Sequence, residues 1–349
     1  MKKKRQKKEK NPKARRLVII CSAILAMALC AVAWVWMQIG STYHHGEATR
    51  IYIPHNSTAE AVEDTLCSRL GDGYGRKVAR LWRSQGGTPE GAHGSYVVEP
   101  GTTTLQLSRR LLHRRQTPVK VTFNNIRTMD QLASRICSRI EATPGEFMAA
   151  CDSVLQPMGF KKAGYPAAFL PDTYEFYWTT PATEVVATIA AERNRFWNDE
   201  RRAQAAALGL TPVEVATVAS IVEEETAKSD ERPKVARLYL NRLKKHMKLQ
   251  ADPTVKYAVG DFSLRRITGE HLRKESPYNT YRHEGLPPGP IRVADRRTLE
   301  AVLSAPRHDY IYMCAKEDFS GYHNFATDYA AHMANARRYQ AELNKRNIH

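Results

Sequence analysis

Thr211-Pro212-Val213-Glu214-Val215-Ala216-Thr217-Val218-Ala219-Ser220-Ile221-Val222-Glu223-Glu224-Glu225-Thr226 specifies its own helix more completely than any other stretch of the chain. Thr211 can cap the first turn, Pro212 stands at N1 where its missing N–H costs nothing, and Glu214 completes a capping box. The helix then ends on three acids, where the macrodipole disfavours negative charge, so something must compensate for them. Successive residues lie about 100° apart, and the three carboxylates therefore face three directions. Glu223 shares a stripe with Ala216, Ala219, Ser220 and Ala227, a floor of small residues that leaves room for a ligand. Glu224 lies with Thr217 and Lys228, and i,i+4 pairing to Lys228 predicts a surface residue. Glu225 follows Val218, Ile221 and Val222, the core-facing stripe, and is the rival: a half-buried acid held by Arg or Tyr for structural reasons. The functional reading makes Glu223 a cleft carboxylic acid whose pKa is lifted by partial desolvation, as a general acid near neutral pH requires. Spacing alone does not choose between Glu223 and Glu225.

Outward from this helix the chain reads as α+β. Ala182 to about Leu208 predicts one helix stopped by Gly209, and Ser229 or Asp230 starts another that carries Val235, Leu238, Leu243 and Met247. Turn-rich loops follow over 249–260 and 276–290, and an amphipathic helix from about Tyr329 ends the chain. Upstream, strand, turn and capped helix recur three times: Arg50–Ile53 before Ser57-x-x-Glu60, Tyr96–Val98 before Leu105 and Leu111, and Val119–Phe123 before Thr128.

Of the net charge of +17, nine units sit in residues 2 to 16, leaving +8 for the rest, so the total does not argue for nucleic acid. Leu17 to Met37 has no charged side chain over 21 residues, enough to cross the hydrocarbon layer. Basic residues crowd its N-terminal flank, which predicts a single-pass span at 17–39, a cytoplasmic tail at 1–16 and everything beyond about residue 40 on the far side. Cys67, Cys137, Cys151 and Cys314 lie outside the span, form no CxxC pair and have no His at ligand spacing; a disulfide among them stays open, and no metal is expected. No Gly-rich phosphate loop appears, and no cofactor is expected.

Several blocks together resemble the MltG/YceG-like endolytic murein transglycosylases. They are Val215–Thr226, Leu249–Tyr257 (Leu-Gln-Ala-Asp-Pro-Thr-Val-Lys-Tyr), Ser276–Tyr281 with Gly285–Ile291, Gly321–Phe325, and Phe169–Tyr174. The resemblance implies cleavage of the β-1,4 bond between N-acetylmuramic acid and N-acetylglucosamine with a 1,6-anhydro product, and it implies Glu223 as the catalytic acid. It also implies sugar contacts from Gln250, Asp252, Tyr278, Asn279, Tyr281 and His323, with Glu225 in the same set. Three departures stand out: Glu224 where the family commonly has Lys, Ala167-Ala168 where Glu-Gly is usual, and Asn124-Asn125-Ile126 in place of a Pro-Glu-Gly type turn.

The resemblance further implies a stalk and small LysM-like βα module over 40–118, a second α+β subdomain over 119–181 and a mainly helical catalytic domain over 182–349. Its expected partners are peptidoglycan glycan strands, the cytoplasmic (inner) membrane with the catalytic part on its periplasmic side, and penicillin-binding glycan synthases. The competing class is a non-catalytic peptidoglycan-binding scaffold of the elongation machinery.

Overall fold

The computed structural model describes residues 12–44, 46–264 and 266–346, so most of the expected basic tail lies outside the described residues. The chain forms two compact units, residues 1–118 with 177–179, and residues 119–176 with 180–349. Residues 119–176 thus pack with the C-terminal helices rather than apart from them.

The first unit begins with α1 (Pro12–Ile39), followed by β1 (Thr49–Ile53), α2 (Ala59–Leu70), α3 (Asp72–Ser84), α4 (Pro89–Ala92), β2 (Gly94–Val98) and α5 (Thr104–Leu112). The apolar side chains of α1 stay outside any protein core, with Trp36 72% exposed, which is the pattern of a membrane anchor. β1 and β2 pair antiparallel, Ile51 opposite Tyr96, over a core that includes Val62, Leu66, Trp82 and Leu107. The cap of α2 falls on Thr58, which accepts from Ala61 N–H, one residue beyond the expected Ser57.

The second unit contains β3 (Val119–Phe123), α6 (Met129–Cys137), α7 (Pro144–Leu155), a 3₁₀ turn (Lys162–Ala168), β4 (Asp172–Phe176), α8 (Ala182–Phe196), α9 (Asp199–Ala207) and α10 (Pro212–Glu225). It continues with α11 (Arg232–Lys244), α12 (Asp252–Val259), α13 (Gly269–Leu272), α14 (Arg296–Leu303), the hairpin β5 (Tyr312–Ala315) and β6 (His323–Ala326), and α15 (Tyr329–Lys345). The single helix expected over 182–208 breaks at Trp197, because Asn198 turns its side chain to cap Arg201 N–H and restarts the chain as α9. The loop expected over 249–260 is largely α12, since Asp252-Pro253 opens a helix as readily as a turn and Gly260, at φ +82°, closes it.

α10 runs through the middle of this unit, against α9, α11, α12, α14 and the 3₁₀ turn. Residues Val215 to Val222 are all buried, and the capping box of Thr211 and Glu214 forms as the sequence predicts. Its small-residue stripe has an occupant that the sequence does not reveal: the incoming loop donates Ile291 N–H to Ser220 Oγ at 3.0 Å. The same loop lies so close to the 3₁₀ turn that a Cβ at Gly289 would sit 1.9 Å from the Ala163 carbonyl oxygen. Gly289→Ala is therefore expected to lower the melting temperature by several degrees, measured by circular dichroism, and an unchanged melting curve would refute this packing.

Candidate active site

The three acids that end α10 have three different environments. Glu223 accepts from Asp295 N–H at 2.8 Å and pairs with Arg292 Nη2 at 3.0 Å, and its side chain is only 9% exposed. Glu224 is clamped by Arg127 (3.0 and 3.1 Å) and by Arg292 Nη1 at 2.6 Å. It is not the Lys228-paired surface residue expected, because these two guanidinium groups reach it from β3–α6 and the loop before α14. Arg292 and Arg127 are the compensation that the helix terminus requires. Glu223 lines neither of the hollows described below, Ile291 N–H reaches Ser220 on its stripe, and its carboxylate is engaged on both oxygens.

Of the three, Glu224 lines one hollow and Glu225 lines that one and a second. The second is a cavity of about 240 Å³, lined by Glu225, Tyr239, Arg242, Gln250, Asp252, Tyr281 and His323, among others. The first, a wider hollow of about 800 Å³, shares Glu225 and Asp252 with it and is walled on its other side by Lys256 of α12 and Tyr339, Gln340 and Leu343 of α15. Glu225 thus stands where two hollows meet. The Tyr239 hydroxyl donates to its Oε1 at 2.7 Å. Burial pushes the Glu225 carboxyl up to about 7, against the opposing pull of the Tyr239 hydrogen bond.

The sugar contacts expected from the sequence divide in the structure. Gln250, Asp252, Tyr281 and His323 line the cavity. Tyr281 donates to Asp252 Oδ1 at 2.6 Å, and Gln250 is held at φ +52° with its N–H on the Thr280 carbonyl. A glutamine in the left-handed region costs conformational energy, of the kind often found at functional positions. Arg242 supports this loop from beneath by donating to the Leu249 and Ile311 carbonyls.

Tyr278 and Asn279 do not join them. Tyr278 packs its ring 4.7 Å from that of Tyr257 and lines neither hollow. Asn279 is fully buried, donates to the Leu272 and Lys274 carbonyls and accepts from Tyr281 N–H, so its amide is consumed by the turn. Asn279→Ala should cost about 1–3 kcal/mol of stability through stranded buried groups, with little change in turnover per folded molecule; thermal melts paired with activity assays check both.

Sequence reading missed Glu231. This acid, 6% exposed, accepts from His323 N–H at 2.8 Å, from the His323 ring Nδ1 at 2.7 Å and from the Thr226 hydroxyl at 3.1 Å. It fixes the ring orientation and leaves Nε2 of this cavity-lining histidine without a hydrogen bond among the described residues. It also ties the residue after Glu225 to β6. Its partner lies 92 positions away, which no local pattern in Ser229–Arg232 encodes.

The described fold and site define a class: a mixed helix-and-sheet chain with one N-terminal apolar helix, and an acid of raised pKa at the junction of two polar hollows. The sequence profile of the YceG-like family matches residues 51–338, and the chain belongs to that family. It is 35% identical over 148 residues to the endolytic murein transglycosylase of Bacillus subtilis (strain 168), which covers 42% of this chain and 41% of that protein. It is 34% identical over 110 residues to the endolytic murein transglycosylase of Streptococcus pneumoniae serotype 2, 30% of this chain and 20% of that one. The chain therefore matches well under half the length of either relative. A crystal structure of a yceG-like protein, lmo1499, from Listeria monocytogenes shares the fold with a TM-score of 0.56 at 24% identity, covering 83% of this chain and 99% of that one.

Proposed function

We propose that this protein is a membrane-anchored endolytic transglycosylase of peptidoglycan, and that its catalytic acid is Glu225 rather than Glu223. The observation that carries the reading is the placement of Glu225, a carboxyl group pushed up to about 7, at the meeting point of two hollows. The curated relatives supply the substrate class through their names.

In this mechanism a glycan strand lies through both hollows with the scissile bond over Glu225. The protonated carboxyl gives its proton to the glycosidic oxygen as the C1–O bond breaks, and charge develops on the muramic ring. The resulting carboxylate then takes the proton of the C6 hydroxyl as that oxygen bonds C1, which closes the 1,6-anhydro ring and returns Glu225 to its starting state without consuming water. Asp252, held by Tyr281, faces both hollows and offers negative charge to the oxocarbenium-like transition state. His323, aimed by Glu231, and Gln250 supply hydrogen bonds to hydroxyl or acetamido groups.

The antiparallel β1–β2 pair, with α2, α3 and the short α4 between its strands, supports a LysM-like role there, and the basic flank of α1 supports a cytoplasmic N-terminus with the second unit on the far, periplasmic side of the inner membrane. Glycan synthases that make the substrate are the proposed neighbours.

Release of 1,6-anhydro-muropeptides from purified sacculi by wild type and Glu225→Gln tests the reading. Equal yields from the two would leave a glycan-binding scaffold in its place. A second experiment reads the pH profile. Activity should fall as pH rises through about 7, where Glu225 loses its proton. Because the Tyr239 hydrogen bond favours the carboxylate, Tyr239→Phe should move that alkaline limb to higher pH, and a shift to lower pH would contradict the assignment.

A further inference from the structure

A cationic hollow of about 400 Å³ in the first unit plays no part in the reaction, and it lies where α1 ends. Thr102, Gln106, Arg109, Arg110 and Arg115 line it. Arg110 is half-buried and donates only to neutral oxygens, the Val97 carbonyl at 2.7 Å and the Thr117 hydroxyl at 2.8 Å. The guanidinium groups of Arg109 and Arg115 have no hydrogen bond or ion pair among the described residues. None of the three is in a salt bridge among those residues, and Glu99 is the acid near Arg110. Three positive groups around one hollow repel one another, and an anion seated between them offsets that cost.

The start of α5 is fastened to the end of α1. Thr104 Oγ1 donates to the Gln38 carbonyl at 2.6 Å, Thr104 N–H to the Ser41 carbonyl at 2.9 Å, and Lys77 reaches Ser41 Oγ at 2.7 Å. At about 1.5 Å per residue, Gln106 to Arg110 lie roughly 3–9 Å along the helix from that junction. The headgroup layer of one leaflet is about 5–8 Å thick. With α1 spanning the bilayer up to Ile39, this part of the lining lies within about 9 Å of the end of the span, in reach of the headgroup layer.

We propose that this hollow binds the phosphate of an anionic phospholipid in the leaflet where α1 ends. Planar guanidinium groups take phosphate oxygens in pairs, and the anchor keeps lipid phosphate permanently beside them. The inference stands apart from the transglycosylase reading, since it uses none of the residues at Glu225.

The test is native mass spectrometry of the full chain in detergent micelles, titrated with phosphatidylglycerol, with phosphatidylcholine, or with inorganic phosphate alone. Wild type should hold one phosphatidylglycerol roughly thirtyfold more tightly than Arg109→Gln/Arg115→Gln. Arg109→Lys/Arg115→Lys should fall between them, and phosphatidylcholine should bind weakly and equally to all. Neutralising Lys2, Lys3, Lys4 and Arg5 should leave the Arg109-dependent lipid in place, separating it from lipid held by the tail. Both arginines are exposed, and matched thermal melts confirm that the variants fold. Phosphatidylglycerol binding that ignores Arg109 and Arg115 would overturn the site, and saturation by inorganic phosphate alone at equal affinity would overturn its assignment to lipid.

Discussion

Glu225→Gln should release 1,6-anhydro products about 10²–10⁴ times more slowly than wild type, the range that a positioned general acid contributes. Gln keeps the shape of the side chain and an oxygen for the Tyr239 hydroxyl, so glycan affinity should change little and the loss should appear in turnover. Stability should move the other way above neutral pH. Burial raises the folded-state pKa of Glu225 from 4.5 to about 7. A carboxyl raised in this way contributes its full stability below about pH 4.5 and loses it as pH climbs through about 7. The Gln variant has no such loss, and its melting temperature should exceed that of wild type at pH 8 while matching it near pH 4.5. A variant that is inactive and also less stable at pH 8 would point to a structural role instead.

Arg292→Met should produce the largest loss of stability. Arg292 is 7% exposed, and it bonds Glu223, Glu224 and Asn125 at once. Its removal leaves two enclosed carboxylates at the end of α10 with only Arg127 on Glu224. Breaking a buried ion pair from one side costs about 3–5 kcal/mol. For a unit of this size that corresponds to a fall in melting temperature of roughly 6–20 °C. Scanning calorimetry at pH 7 measures it, and a fall of under about 2 °C would mean that the network carries little.

The sequence makes α10 legible because the information is local. Thr211, Pro212 and Glu214 meet within one turn, and they cap the helix as their spacing predicts. α15 begins at Tyr329 for the same reason, with Asp328 capping Ala331 N–H. The facing of the three acids is a different kind of fact. A stripe of Ala and Ser fits a passing backbone as well as a sugar, and here it receives Ile291. The apolar stripe leading to Glu225 reads as core, yet its last residue emerges at the cavity because the helix stops there. Asn279 reads as a donor for sugar because its carbonyl partners, Leu272 at the end of α13 and Lys274 just beyond it, carry no periodic signature. Glu231, Arg292 and Arg127 act across 68 to 97 positions, and only the folded chain brings them to their partners.

The central claim is that the proton donor is the third acid of the run and not the first. Glu223→Gln and Glu225→Gln, assayed side by side at pH 6.5 on the same sacculi and normalised to folded protein, separate the two most directly. Glu223→Gln should melt lower through its weakened contact with Arg292 yet retain turnover within about threefold, while Glu225→Gln loses at least about 10²-fold. An inactive Glu223→Gln beside an active Glu225→Gln would return the chemistry to the first acid and contradict the site described.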